Sequence, residues 1–190
     1  MTVEEQIEDD EYRSPQEIAR RAIVLTALIK VVFGEDQNRV FDWLKSENLW
    51  EELSPYELDF TKNTKDERAC INISWRSEAL VSLLWSINKI AALPALNEQV
   101  DFEHMSKAIP CFMKSTSDFI QKCQLRNKCE IEDEYEKVFD AHWKVRDARL
   151  HKKAKPKNID SGIVMERHHG FNYVIGYCGL PGVFQASCHH

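Results

Sequence analysis

The sequence predicts an all-α protein, a single-domain bundle of about seven helices around one long central helix. Three observations lead to this prediction. Apolar residues recur every three or four positions through most of the chain, which is the spacing of one helix face. The helix-start pattern Ser-Pro-x-Glu occurs twice, at Ser14 and at Ser54. Residues 79–85, Ala-Leu-Val-Ser-Leu-Leu-Trp, are apolar nearly all round, as expected for a helix enclosed by others.

The 190 residues are predicted to form one domain, residues 13–180, between two tails. Residues 1–11 contain six acidic side chains and no basic ones, so charge repulsion predicts a disordered acidic tail over residues 1–12. Residues 181–190 follow closely spaced glycines and are predicted to be a weakly ordered C-terminal tail.

The first three helices follow from their start signals and apolar spacing. The pattern at Ser14 supplies a capping hydroxyl, a first-turn proline and a capping-box carboxylate, and opens a helix that ends at Gly34. A second helix is predicted over residues 37–47, where apolar side chains form one stripe. The pattern at Ser54 opens a third, short helix through Phe60.

The central helix is predicted to begin at Thr64, where Thr-Lys-Asp-Glu has the form of a capping box. It is predicted to run to about Leu93, because the proline that follows disfavours helical geometry in the residue before it. Its middle contains the apolar segment 79–85, so the other helices should pack around it.

Four further helices are predicted in the second half of the chain. Asp101 can cap a helix that carries Met105 and Phe112 and that Pro110 shortens or kinks. The other three helices cover residues 116–126, 130–150 and 163–177. Residues 151–158 contain four lysines and a proline, which indicates a surface loop, with a phosphate-binding patch as the alternative.

Composition narrows the possible functions. The net charge of −6 argues against a general nucleic-acid binder, because phosphate neutralisation requires a basic face. The longest apolar run is too short to span a membrane, and no signal peptide is recognised, so a cytoplasmic protein with no membrane partner is expected. Reduced thiols are expected at the cysteines, which include no Cys-x-x-Cys pair and lie at positions 70, 111, 123, 129, 178 and 188.

The next-to-last predicted helix contains polar side chains near its end, where burial is expected. On a helix of 3.6 residues per turn, His142, Arg146 and Arg149 share one face. Trp143 and Asp147 share the neighbouring face. Since buried charges are costly unless they are paired, this helix requires partners from other helices.

Several motifs together resemble the bacterial domain of unknown function 4272 family. They are residues 74–80 with Leu84-Trp85, residues 142–149, and Glu166-Arg167-His168 with Asn172 and Ile175-Gly176-Tyr177. The start at residues 13–21 is similar to the opening of that family, and the resemblance extends to about Tyr177. It implies no particular activity. The sequence departs from the family pattern in its lysine-rich loop and in a tail that carries cysteine and histidine.

These motifs define one polar constellation on three helices that are expected to pack together. Its members are Trp75, Arg76, Glu78, His142, Trp143, Arg146, Asp147, Arg149, Glu166, Arg167, His168 and Asn172. The favoured interpretation is a structural network. In that network Arg76 or Arg146 pairs with Glu166, and Asp147 pairs with Arg149 or Arg167. The alternative is a ligand pocket, since guanidinium groups bind carboxylate or phosphate and a histidine beside a carboxylate can act as a base.

No metal site, cofactor or catalytic residue is predicted. The histidines and cysteines lack the spacing of a zinc site, and the chain contains no glycine-rich phosphate loop, nucleophile elbow or dinucleotide motif. The leading hypothesis is therefore a non-enzymatic protein-binding module with an acidic surface and a basic protein partner, for example a toxin-neutralising immunity protein. The alternative is an enzyme or small-anion-binding protein that uses the constellation. The sequence leaves the oligomeric state open.

Overall fold

The computed structural model describes residues 12–110 and 115–177, and within these ranges every regular element is helical. The all-α prediction is thus confirmed. In chain order the helices are α1 (Pro15–Val32), α2 (Gln37–Ser46), α3 (Pro55–Lys62), α4 (Glu67–Ser86), α5 (Phe102–Ser106), α6 (Ser117–Gln121), α7 (Lys128–Leu150) and α8 (Ser161–Val174). One 3-10 turn, Trp50–Glu52, precedes α3. Phe112 and, apart from Tyr12, both predicted tails lie outside the described residues.

Both Ser-Pro-x-Glu patterns form the predicted capping boxes. At the start of α1, the Ser14 hydroxyl accepts a hydrogen bond from the Glu17 N–H at 3.2 Å, and the Glu17 carboxylate accepts one from the Ser14 N–H at 2.9 Å. Ser54 and Glu57 repeat this arrangement at α3. Each box satisfies amide groups that the first helical turn leaves without partners.

The central helix α4 ends at Ser86, and the prediction that it continues to Leu93 is wrong. Asn88 adopts a left-handed conformation with φ of 58°, which closes the last turn. Arg126, distant in sequence, then binds the exposed end: its N–H donates to the Ser86 carbonyl at 2.7 Å and its Nε to the Trp85 carbonyl at 2.9 Å. These hydrogen bonds from Arg126 take the place of those that a further turn of helix would make with the same carbonyl groups.

Other predicted boundaries are also wrong, including the end of the last helix, which lies at Val174 and not at Tyr177. The cap of α4 is Asp66, whose carboxylate accepts from the Ala69 N–H at 2.7 Å, so the helix begins after the predicted Thr64 position. The helix predicted over residues 116–126 ends at Gln121. The residues that follow it connect α6 to α7 and carry the arginine that caps α4.

The long helices pack in the order α1, α4, α8, α7, so that α4 and α8 lie inside and α7 covers the outer side of α8. Gly170 of α8 permits a close approach to α4, since a Cβ at this position would lie 2.6 Å from the Ala79 carbonyl oxygen. The two helices that make this close contact also carry buried charged residues, Arg76 and Glu78 on α4 and Glu166 and Arg167 on α8. None of the helices in the described ranges has the length and apolarity that crossing a membrane would require.

Candidate functional site

Two buried ion pairs connect α4 with α8. In the first, Arg167 Nε donates to Glu78 Oε2 at 3.0 Å, and both side chains are almost inaccessible to solvent. The guanidinium also donates at 2.6, 3.2 and 2.9 Å to three carbonyl oxygens, those of Pro94, Ala95 and Glu98. These bonds satisfy the buried charge and attach the segment after α4 to the helix pair.

The second pair joins Arg76 of α4 to Glu166 of α8, with Nη1 and Oε2 separated by 3.3 Å. Burial raises the pKa of the Glu166 carboxyl, and the adjacent Arg76 charge acts in the opposite direction. His169 Nδ1 lies 3.9 Å from the other Glu166 oxygen. Burial, together with Arg76, lowers the pKa of His169 to about 4, so this imidazole is neutral at neutral pH.

A histidine pair joins α7 to α8. The Nδ1 atoms of His142 and His168 lie 2.8 Å apart, so one carries the hydrogen and the other accepts it. The rings of Tyr135 and Phe139 lie against His168 with centroids 5.6 and 5.4 Å away. Burial, His142 and Arg146 lower the pKa of His168 to about 4, and burial also lowers the pKa of His142. Both rings are therefore neutral at neutral pH.

Three residues predicted to belong to the constellation lie on the outside of α7. Trp143 is 56% exposed, and Arg146 and Arg149 are also exposed. The reason is the orientation of the helix: its buried side is formed by small or aliphatic residues such as Val138 and Ala141. The three side chains project from other sides of α7 and do not join the ion pairs between α4 and α8.

Asp147 is also outside the constellation. Its carboxylate accepts a hydrogen bond from Lys153 Nζ at 2.7 Å and lies 2.8 Å from His151 Nδ1. The predicted pairing of Asp147 with Arg149 or Arg167 is therefore wrong. The short loop after α7 brings the Lys153 ammonium group back to the helix end, where it binds this carboxylate.

The two remaining predicted residues lie near the ion pairs. Trp75 of α4 packs over Gly162 at the start of α8, where an added Cβ would lie 2.8 Å from the indole ring. Asn172 of α8 is buried, and within the described chain its Oδ1 has no hydrogen-bond partner. Trp75 borders the surface clefts, whereas Asn172 belongs to the interior.

An acidic cleft of about 670 Å³ opens between the end of α1, the middle of α4 and the segment around α5. Its rim carries the exposed carboxylates Glu35, Asp101 and Glu103. Lys30 is the one cation among the lining residues, all of which lie in the described ranges. Glu78 also lines the cleft, but Arg167 compensates its charge. The three exposed carboxylates against one lysine therefore give this cleft a negative potential.

Aromatic rings form a wall of the acidic cleft. Phe33 from the end of α1 stacks on Phe102 of α5, with ring centroids 5.5 Å apart, and Phe33 is 65% exposed. Trp75 lines the cleft from α4. Carboxylates next to aromatic faces form an environment that favours an organic cation, because both attract positive charge.

A second cleft of about 570 Å³ lies beside the Arg76–Glu166 pair and is bordered by Tyr56, Asn72 and Met165. Since Arg76 and Glu166 compensate each other, this pair contributes little net charge to the cleft. Within the part of the chain that the structure describes, no three histidine, cysteine, aspartate or glutamate side chains are grouped so that they could hold a metal ion.

Residues 1–179 match the family described as Domain of unknown function (DUF4272). The chain belongs to the DUF4272 family. No curated protein and no solved structure matches it. The match confirms the resemblance carried by the polar motifs, and the ion pairs between α4 and α8 show where several of those motif residues lie in a DUF4272 fold.

A further buried ion pair of this DUF4272 chain was not predicted. Arg21 of α1 binds Glu57 of α3 through both guanidinium ends, at 2.8 and 2.5 Å, and both side chains are buried. Glu57 also serves in the capping box with Ser54. The available signal was the position of Arg21 on the apolar face of α1, which required a carboxylate partner.

Proposed function

We propose that this DUF4272 protein is a non-enzymatic protein-binding module whose acidic cleft receives a basic side chain of a partner protein. The observation that carries the proposal is the set of exposed carboxylates, Glu35, Asp101 and Glu103, beside the exposed aromatic wall. An arginine or lysine in this cleft would form ion pairs with the rim and lie against a ring face. Cation–π contacts of this kind contribute about 0.5–1 kcal/mol at exposed sites.

The overall charge supports the same type of partner. A net charge of −6 attracts basic proteins over a long range and raises their rate of association. Toxin-neutralising immunity proteins are one instance of small acidic proteins that act in this way, and we propose this class for the chain. The feature that this proposal requires of the partner is a basic surface.

The alternative, an enzyme or an anion-binding protein, has weaker support. It requires charged groups of the constellation to face a ligand. The two arginines concerned instead contact carboxylates of the protein itself, Arg76 at Glu166 and Arg167 at Glu78. Arg146, the third candidate, lies on the outer surface of α7.

The proposal is tested by titrating the isotopically labelled protein with a short arginine- and lysine-containing peptide and with a matched glutamate peptide, monitored by NMR. We expect saturable shifts of the Trp75 indole and of the Phe33 and Phe102 signals with the basic peptide. Glu35→Gln combined with Glu103→Gln should weaken binding by about two- to thirtyfold, since each exposed ion pair contributes about 0.2–1 kcal/mol.

Glu51→Gln is the matched control, because Glu51 is exposed on the 3-10 turn and does not line the acidic cleft. This variant should bind the basic peptide as the unmodified protein does. Equal shifts with both peptides, or equal weakening by Glu51→Gln and by the cleft variant, would exclude the acidic cleft as the binding site.

A further inference from the structure

Helix α7 presents an unusual outer surface. Phe139, Trp143 and Leu150 are 46%, 56% and 68% exposed, respectively. They recur at the alternating spacing of four and three that aligns residues along one side of a helix, with Arg146 completing the series. A row of large exposed apolar residues is typical of a surface that binds another protein.

The charges on the exposed side of α7 are segregated along its length. The half that precedes Ala141 carries mostly exposed acidic residues, namely Glu132, Asp133, Glu136 and Asp140. The half that follows carries exposed basic residues, namely Lys144, Arg146 and Arg149. Glu136 and Arg146 lie on the same side as the aromatic residues, and neither forms an ion pair within the described residues. Each is therefore available to a partner.

The positions of these residues are symmetric about Ala141. Phe139 and Trp143 each lie two positions from it, and Glu136 and Arg146 each lie five positions from it. If a second α7 packs antiparallel on this outer surface, with the two-fold axis crossing the helix at the level of Ala141, Phe139 meets the partner's Trp143. In the same arrangement Glu136 meets the partner's Arg146. A parallel arrangement would instead place Glu136 against its own copy.

We propose that α7 is a homodimer interface in which two copies of the chain pack their α7 helices antiparallel. A two-fold interface uses the same patch on both subunits, so every favourable contact occurs twice. The 23 residues of α7 span about 35 Å at 1.5 Å per residue. An interface formed by one pair of helices buries an area at the lower end of the range for protein–protein interfaces, so the dimer dissociates on dilution.

The homodimer is independent of the protein-binding module proposed above. No residue of α7 lines the acidic cleft, which is formed by the end of α1, by α4 and by the segment around α5. In the packing order of the long helices, α7 and α1 lie at opposite ends. A dimer through α7 would leave two acidic clefts open, and either proposal can fail without the other.

The test is sedimentation of the full chain over a wide concentration range, with charge-reversal variants. Glu136→Arg places two like-charged pairs in the dimer, and so does Arg146→Glu, so each variant alone should weaken dimerisation by about tenfold or more. An equimolar mixture of the two variants should dimerise again. The double variant Glu136→Arg with Arg146→Glu should dimerise as well, because antiparallel packing restores opposite charges at both positions.

Two further variants complete the test. Glu51→Arg makes the same change in net charge at an exposed site away from α7 and should leave the dimer unchanged. Trp143→Ser should weaken it, because the central aromatic contact is lost. The proposal is overturned if the protein sediments as a monomer at every concentration. It is also overturned if Trp143→Ser dimerises as tightly as the unmodified protein, or if the mixture of the two charge variants stays monomeric.

Discussion

Arg167 lies at the junction of three segments, because its guanidinium contacts Glu78 Oε2 at 3.0 Å and also three carbonyl oxygens of the chain that follows α4. The other oxygen of Glu78 accepts a hydrogen bond from the Val100 N–H at 2.8 Å. One ion pair thus fixes the α4–α8 contact and the segment that leads to the acidic cleft. Its five-donor geometry is specific to arginine.

Arg167→Lys should therefore destabilise the protein strongly, although it keeps the charge. An ammonium group cannot contact Glu78 and the three carbonyls together, so buried acceptors lose their partners. We expect a loss in the free energy of unfolding of about 1–3 kcal/mol for each buried acceptor that is left without its partner. Urea denaturation measures it. Arg68→Lys, at an exposed arginine of α4, is the control, and equal losses in both variants would contradict the prediction.

The helix starts could be predicted from the sequence because their signals are local. Ser14 and Ser54 lie three residues before the carboxylates that complete their capping boxes. The end of α4 could not be predicted, since it depends on Arg126, which lies far along the chain and reaches the last turn only in the folded protein. The proline after Leu93 was a plausible local stop signal but lies beyond the real end.

The same contrast between local signals and long-range contacts applies to the candidate site. Arg76 and Glu166 were expected in one network because buried charges need partners, and the structure brings them together. Arg146 shares a helix face with His142 in sequence, but the orientation of α7 on α8 leaves Arg146 at the surface. Periodicity shows which residues share a face, whereas the depth of that face in the fold depends on the neighbouring helix.

Gly170→Ala should destabilise the protein, although alanine favours helix formation. Helix propensity alone predicts a gain of about 1 kcal/mol. The new Cβ would lie 2.6 Å from the Ala79 carbonyl oxygen and 2.9 Å from the Ser82 Cβ, so α8 must move away from α4. Overpacking of this kind costs about 1–3 kcal/mol. Thermal unfolding of the variant shows whether its melting temperature rises, as helix propensity predicts, or falls, as overpacking predicts.

Gly162→Ala is the comparison for Gly170→Ala. Its Cβ would meet the outer edge of the Trp75 ring at 2.8 Å, and this ring borders the clefts and can shift. A smaller effect on the melting temperature is expected there. If Gly170→Ala stabilised the protein, the close α4–α8 contact would not limit the size of the side chain at this position.

The histidines of α7 and α8 make stability depend on pH. The pKa of His168 is lowered from its ordinary value of 6.5 to about 4 in the folded protein, by burial and by the nearby His142 and Arg146. Between these two pH values the unfolded chain binds more protons than the folded one. The free energy of unfolding therefore falls as pH decreases through this window. His169, whose pKa is also about 4, contributes in the same direction.

His168→Phe should make this pH dependence less steep, because one titrating group is removed while an aromatic ring remains between Tyr135 and Phe139. The slope of unfolding free energy against pH should decrease by up to about 1.4 kcal/mol per pH unit between pH 6.5 and 4, the value for one proton. Urea denaturation at a series of pH values measures the slope. His104→Phe, at an exposed histidine of α5, is the matched control for the removal of one histidine. An unchanged slope in His168→Phe would show that His168 binds its proton equally well in the folded and unfolded states.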